Sequence, residues 1–251
     1  MKAIIFDLDG TLVQTEILKA TSYARAAIAL RPNVYDEREL IEAYKEVVGL
    51  SRSDVAKTLL LRFDLEDAAK TRMNEFGVAT PWQVFVQIRI GIYESMIADP
   101  ALLQKHLCPH NRNLLRWARH HRYLTGLATM SHCAQAKRIL QILHLSTDFD
   151  FIVTRDDVTL GKPDPEIYYL IARELLVSPR ECLVIEDSVT GITAARGAGM
   201  SCIAVTTEFT RAAVHASKLL DERWIVDVPR ELESVVDRFL NEQTTRENRQ
   251  N

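Results

Sequence analysis

Short apolar runs of strand length alternate with helix-like stretches, and this rhythm limits the fold more than any other feature of the chain. KAIIF (2–6), LTGLA (124–128), DFIVT (150–154), CLVIE (182–186) and SCIAV (201–205) read as buried strands by length and apolar content. RWIV (223–226) is a sixth candidate. Between the later runs lie helix signals. Ser131 is placed to cap the helix in MSHCAQAKRILQIL, and Asp164 to cap KPDPEIYYLIAREL with Pro165 at its first position. TGITAARGAGM ends at glycines, as helices often do. Such alternation builds a parallel sheet covered by helices.

The stretch from about 15 to 98 breaks the rhythm. EILKATSYARAAIAL, EAYKEVV, SRSDVAKTLLLRF and PWQVFVQIRIGIYESMI are helical in pattern, with no convincing strand among them. The expectation is a helical insert between the first strand and the rest of the sheet. Trp82, Phe85 and Tyr93 are expected to pack its own core. The polar last residues, NEQTTRENRQN, are expected to fray.

With 251 residues, 47% of them apolar, the chain can bury one core plus a smaller one. A net charge of −3 exerts no strong pull toward nucleic acid or anionic membrane. MKAIIFD lacks the apolar stretch of a signal peptide, and no run approaches the roughly 18–20 apolar residues of a membrane span. Cys108, Cys133, Cys182 and Cys202 form no CxxC pair, so buried free thiols in a reducing cytoplasm are expected.

The polar residues fall where the runs end. Asp7 and Asp9 follow the first, Thr129 the second, Lys162 lies in the loop after the third, and Glu186 and Asp187 close the fourth. Parallel α/β sheets bind ligands beyond the carboxyl ends of their strands, so all these groups can share one edge. Four carboxylates in one cleft would repel one another and resist ionising. A divalent cation removes that conflict. Oxygen donors of this kind suit Mg²⁺, which usually takes phosphate oxygens as well. Lys162 and Thr129 are then natural binders of the remaining phosphate oxygens.

On DLDGT (7–11), LATMS (127–131), GKPDPEIY (161–168) and VIEDSVTGITAARGAGM (184–200), the sequence resembles the haloacid dehalogenase superfamily of phosphohydrolases, in the family's motif order. The resemblance implies a Rossmann-like three-layer α/β core with a parallel sheet over 1–14 and 99–251, and an inserted all-helical cap over 15–98. It implies that Asp7 is the nucleophile, forming an aspartyl-phosphate. Asp9 would be the general acid–base. Thr129 and Lys162 would clamp the phosphate. Asp187, the Asp7 carboxylate and the Asp9 carbonyl would hold Mg²⁺, with Glu186 either joining the metal or orienting it. Gly10 would permit the tight turn out of the site and Thr11 would brace it by hydrogen bonding.

The remaining candidates have plainer readings. Ser131 suits helix capping better than Thr129 does. His120 and His121 sit at a helix end, where the dipole favours them. RDD (155–157) reads as a solvated turn.

The insert resembles the α-helical cap of one branch of the family, which closes over the site and contacts the non-phosphate part of the substrate. GLSRSD (49–54) resembles a cap loop of phosphoglucomutase-like members and points to Arg52 as a substrate contact; Arg89 matches another basic cap position more weakly. In VQTEILK, Gln14 and Lys19 stand where sugar-phosphate members carry an acid and a histidine. The expectation is a Mg²⁺-dependent phosphatase of a small phosphorylated metabolite, a sugar phosphate or phosphoglycolate. The alternative is a beta-phosphoglucomutase-like mutase. A dehalogenase would have no use for Asp9, and a non-catalytic binding protein on this fold should have lost one of the acids.

Overall fold

A computed structural model describes residues 1–250, with side chains through residue 245. The chain divides into two compact units, Met1–Gln14 with Leu103 onward, and Thr15–Leu102.

The first unit is built on six strands: β1 (Ala3–Phe6), β2 (Leu124–Ala128), β3 (Phe151–Val153), β4 (Cys182–Glu186), β5 (Ser201–Val205) and β6 (Ile225–Val226). Their order is β3-β2-β1-β4-β5-β6, with every neighbouring pair parallel. Ile5 pairs with Gly126 on one side and Val184 on the other. The order reverses at β1, so β1 and β4 flank the crevice where doubly wound sheets bind ligands. The run at 223–226 is mostly not strand: Glu222–Trp224 is a 3₁₀ turn and only Ile225–Val226 pairs.

The second unit is helical: α1 (Thr15–Leu30), α2 (Glu37–Lys45), α3 (Arg52–Arg62), α4 (Glu66–Thr71), α5 (Met73–Phe76) and α6 (Pro81–Ile97). Thr80 and Gln83 close a capping box at the start of α6, with Pro81 at its first position. Helix α6 packs against α1, α3 and α4. Its Phe85 is fully buried and meets Tyr23, which stacks on Tyr44 with ring centres 5.4 Å apart. Tyr93 is buried too, whereas Trp82 is only half-buried, with the Lys57 ammonium 5.8 Å over its ring.

The chain then runs through α7 (Pro100–Lys105) and α8 (Pro109–His120) to β2, α9 (Cys133–Ile142), α10 (Glu166–Glu174), α11 (Val189–Gly197), α12 (Arg211–Ser217) and α13 (Leu232–Gln250). The tail expected to fray therefore continues α13 to Gln250; Asn251 lies outside the described residues. Ala3, Ile5, Cys182 and Val184 share one core cluster with Ile167, Tyr168 and Ile171 of α10 and Ile192 and Ala195 of α11. By strand alternation Ile4 and Phe6 face the opposite layer, and both are fully buried. Helix α8 packs against β1 and β2, and α13 against α8. All four cysteines are free; Cys108, Cys182 and Cys202 are buried as expected, whereas Cys133, the first residue of α9, is only half-buried. Among the described residues no helix is long and apolar enough to cross a membrane.

Two helix starts differ in detail from the sequence reading. At α10 Pro165 holds the N-cap position rather than the first helical one, although Asp164 Oδ1 accepts the Glu166 N–H at 2.9 Å. At α9 His132 rather than Ser131 holds the N-cap position. The orphan N–H of Cys133 is taken by Asp156 Oδ2 at 2.8 Å, and His132 Nδ1 pairs with Asp156 Oδ1 at 2.6 Å. RDD is therefore more than a solvated turn. It forms a 3₁₀ turn in which Asp157 closes a capping box with Thr154, while Asp156 serves the start of α9 from outside that helix.

Candidate active site

The loop leaving β1 is a tight one. Gly10 has φ +83°, a region costly for residues with a Cβ. A Cβ there would also meet Asp187 Oδ2 at 2.1 Å. The loop closes through Gly10 N–H to Val13 O (2.7 Å) and Val13 N–H to Leu8 O (3.0 Å). Thr11 does not brace it as expected. Its buried hydroxyl has no hydrogen-bond partner among the described residues, while its carbonyl accepts from Asn111 Nδ2 of α8 at 2.6 Å. Just beyond, Val13 bridges Leu107 in antiparallel fashion and Gln14 N–H donates to His106 O at 2.8 Å.

Asp7, Lys162, Glu186 and Asp187 converge at the carboxyl ends of β1 and β4. Lys162 Nζ donates to Asp7 Oδ1 at 2.7 Å, Glu186 Oε1 at 2.6 Å and Ala128 O at 2.9 Å, which uses all three of its N–H bonds. Its side chain is 4% exposed. Burial drives the Asp7 carboxyl well above its usual range; Lys162 draws it back, while Glu186 and Asp9 push it up further. Burial disfavours the Lys162 ammonium, but Asp7 and Glu186 more than offset this and raise its pKa.

Carboxylate oxygens of Asp7, Glu186 and Asp187 lie within 4.8 Å of one another. Three buried hard oxygen donors of this kind fit a small divalent cation. Glu186 is nevertheless fully engaged elsewhere. Its Oε1 accepts from Lys162 Nζ and Tyr168 OH, and its Oε2 from the Asp187 N–H, the Ser188 N–H and Ser188 Oγ. Five donors against about four lone-pair sites crowd both of its oxygens. The sequence leaves Glu186 open between ligand and support; the hydrogen bonding favours support.

Asp9 turns toward the loop after β2. Ser131 Oγ donates to Asp9 Oδ2 at 2.6 Å, and Thr129 Oγ1 reaches the same oxygen at 3.4 Å while accepting the Ser131 N–H. Thr129 is fully buried. Thus β2 places Thr129 beside the acid, and Ser131, a helix cap by its sequence position, is the closer partner of Asp9.

Arg52 lies in the helical unit as the exposed first residue of α3, after the Ser51 cap. Arg89 is buried there, its guanidinium 5.0 Å from the Tyr23 ring and 4.6 Å from the Tyr93 ring. Lys19 pairs with Glu16 at 2.7 Å.

Tyr168 and Asn111 also bond into the site without a role marked by the sequence motifs. The buried stripe of α10, Ile167, Tyr168, Ile171 and Ala172, carried the signal for the first: a hydroxyl on an apolar face needs a partner inside.

The chain belongs to the haloacid dehalogenase-like hydrolases, whose family model matches residues 1–199. It is therefore an enzyme of that hydrolase class. Over 206 residues it is 30% identical to the phosphorylated carbohydrates phosphatase of Thermotoga maritima, covering 81% of this chain and 84% of the relative. It is 31% identical over 205 residues to the beta-phosphoglucomutase of Bacillus subtilis, covering 82% and 83%. The crystal structure of a HAD hydrolase of family IA, variant 3, from Entamoeba histolytica superposes with a TM-score of 0.67 at 25% identity, covering 94% of this chain and 98% of that one.

Proposed function

We propose that this hydrolase is a Mg²⁺-dependent phosphatase of phosphorylated sugars or similarly small metabolites, working through an aspartyl-phosphate on Asp7. The observation that carries the reading is the buried Asp7–Lys162 contact of 2.7 Å beside the Asp187 carboxylate. Asp7 Oδ attacks phosphorus, and the bond from phosphorus to the ester oxygen breaks. Asp9 gives its proton to that oxygen as it leaves. Water then attacks phosphorus, Asp9 takes the water's proton, and Asp7 is released with inorganic phosphate. Lys162 offsets charge on the phosphoryl oxygens through both steps, aided by Thr129. Ser131 and Thr129 hold Asp9 by one oxygen, so its proton is carried on a fixed arm.

Asp7, Asp187 and the Asp9 carbonyl would hold the Mg²⁺. When bound, the ion supplies charge neutralisation between carboxylates and phosphate that the chain alone lacks. The close approach of the Asp7, Glu186 and Asp187 carboxylates, within 4.8 Å of one another, is the arrangement such a charge would neutralise.

The similarity to the beta-phosphoglucomutase supports a second reading, in which a sugar hydroxyl accepts the phosphoryl group instead of water. Gln14 and Lys19, standing where mutases carry an acid and a histidine, favour water. The test follows phosphate when β-glucose 1-phosphate and a bisphosphate primer are supplied. Free phosphate should appear faster than glucose 6-phosphate; the reverse order would establish the mutase.

A further inference from the structure

Each polar member of the buried cluster has a fixed number of bonds to make. The Lys162 ammonium spends its three N–H bonds on Asp7, Ala128 O and Glu186. When Asp7 becomes an acyl phosphate, its carboxylate loses the charge that holds Lys162. Glu186 and the Ala128 carbonyl must then keep the ammonium on the phosphoryl oxygens by themselves. Glu186 Oε2 is tied to its own chain at Asp187 and Ser188. Its Oε1, the oxygen facing Lys162, has one other partner: the hydroxyl of Tyr168, at 3.0 Å. The ring of Tyr168 lies beneath the same ammonium, its centre 5.1 Å from Nζ. That distance is within reach of an attractive cation–ring contact. Tyr168 is the largest of the wholly buried side chains, on α10, six residues beyond Lys162. A phenylalanine would fill the same volume, so packing does not explain the hydroxyl.

We infer that Tyr168 is a positioning residue for phosphoryl transfer: its hydroxyl sets the Glu186 oxygen and its ring supports the ammonium, so that Lys162 stays aimed when Asp7 is consumed. This deepens the phosphatase reading and rests on it for its kinetic consequence. The strut itself is a property of the buried cluster and is read without turnover.

Tyr168→Phe removes only the hydroxyl. Under the inference kcat falls about 10-fold, the lower end for loss of an outer support, while KM stays within about twofold. The second readout is the ¹⁵N-labelled lysine ammonium resonance of the metal-free protein, assigned by its loss in Lys162→Arg, which keeps the charge. In Tyr168→Phe its hydrogen exchange should quicken several-fold. Unchanged kcat with an unchanged resonance would reduce the hydroxyl to core packing and overturn the inference. So would a fall in kcat with a matching rise in KM and a lowered Tm, the resonance unmoved. If the wild-type protein released no phosphate from any sugar phosphate, the phosphatase reading would fall, and faster exchange in Tyr168→Phe would still establish the strut.

Discussion

Gly191 and Glu186 fit together only because Gly191 has no side chain: a Cβ there would lie 1.8 Å from Glu186 Oε1. Gly191 is the third residue of α11, and its N–H is capped by Ser188 Oγ at 3.1 Å. In an ordinary helix a Gly→Ala change stabilises by about 1 kcal/mol. Here the sign reverses, because a carboxylate with five donors must move. Gly191→Ala should lower stability by about 1–3 kcal/mol, the range for leaving buried polar groups unsatisfied, and lower activity with it. Denaturant melts beside a turnover assay check this; a stabilised, active variant would contradict the packing.

Asp7→Asn keeps the shape and removes the nucleophile. Turnover should fall by several orders of magnitude, as when other covalent nucleophiles are removed. Rapid-quench detection of a labelled phosphoprotein in wild type, and its absence in the variant, separates this from a general loss of structure.

Chelation should abolish turnover and Mg²⁺ restore it, whereas Ca²⁺ should support binding with little turnover, its looser shell misplacing nucleophile and phosphate. Asp187→Asn should raise the Mg²⁺ concentration needed for half activity. Full turnover in excess chelator would remove the metal role assigned to Asp187.

His215 on α12 joins Glu222 at 2.7 Å and Asp227 at 3.0 Å, and its pKa is raised, chiefly by the Asp227 hydrogen bond. Arg211 and Lys218 share these carboxylates, and Thr206 donates to Asp227. A raised histidine stabilises fully below its ordinary value of about 6.5, and that contribution is lost as pH rises through the folded value. Glu222 and Asp227 are lowered, so their contribution fades only in acid. The Tm should therefore decline as pH climbs past about 6.5, and His215→Gln should flatten that limb. A parallel decline in the variant would assign it elsewhere.

The cap-loop resemblance makes Arg52 a proposed substrate contact, gripping a distal phosphate or carboxylate through two hydrogen bonds. Arg52→Ala should lower kcat/KM for the true substrate by about 1–3 kcal/mol and barely affect a small aryl phosphate. Equal loss on both would make the arginine structural.

The strands and the acids at their ends are legible in the sequence because both are local. An apolar run such as CLVIE has nowhere to go but a buried strand, and Glu186 and Asp187 are then carried to its carboxyl end by chain connectivity alone. The strand-free pattern of 15–98 likewise reads directly as helices. What each side chain does on arrival is decided by groups distant in the chain. Ser131 has the sequence position of a cap, yet Asp156, 23 residues beyond Cys133, takes that N–H and frees Ser131 for Asp9, 122 residues away. Thr11 has the position of a brace, and Asn111 holds its carbonyl instead. Glu186 stands open between metal ligand and support, and Lys162 and Tyr168, 24 and 18 residues away, meet on its Oε1. Sequence patterning specifies which residues reach the site, because burial of apolar runs is a local property. The tertiary structure specifies their bonding, because each buried oxygen has a small number of lone pairs and donors from the whole core compete for them.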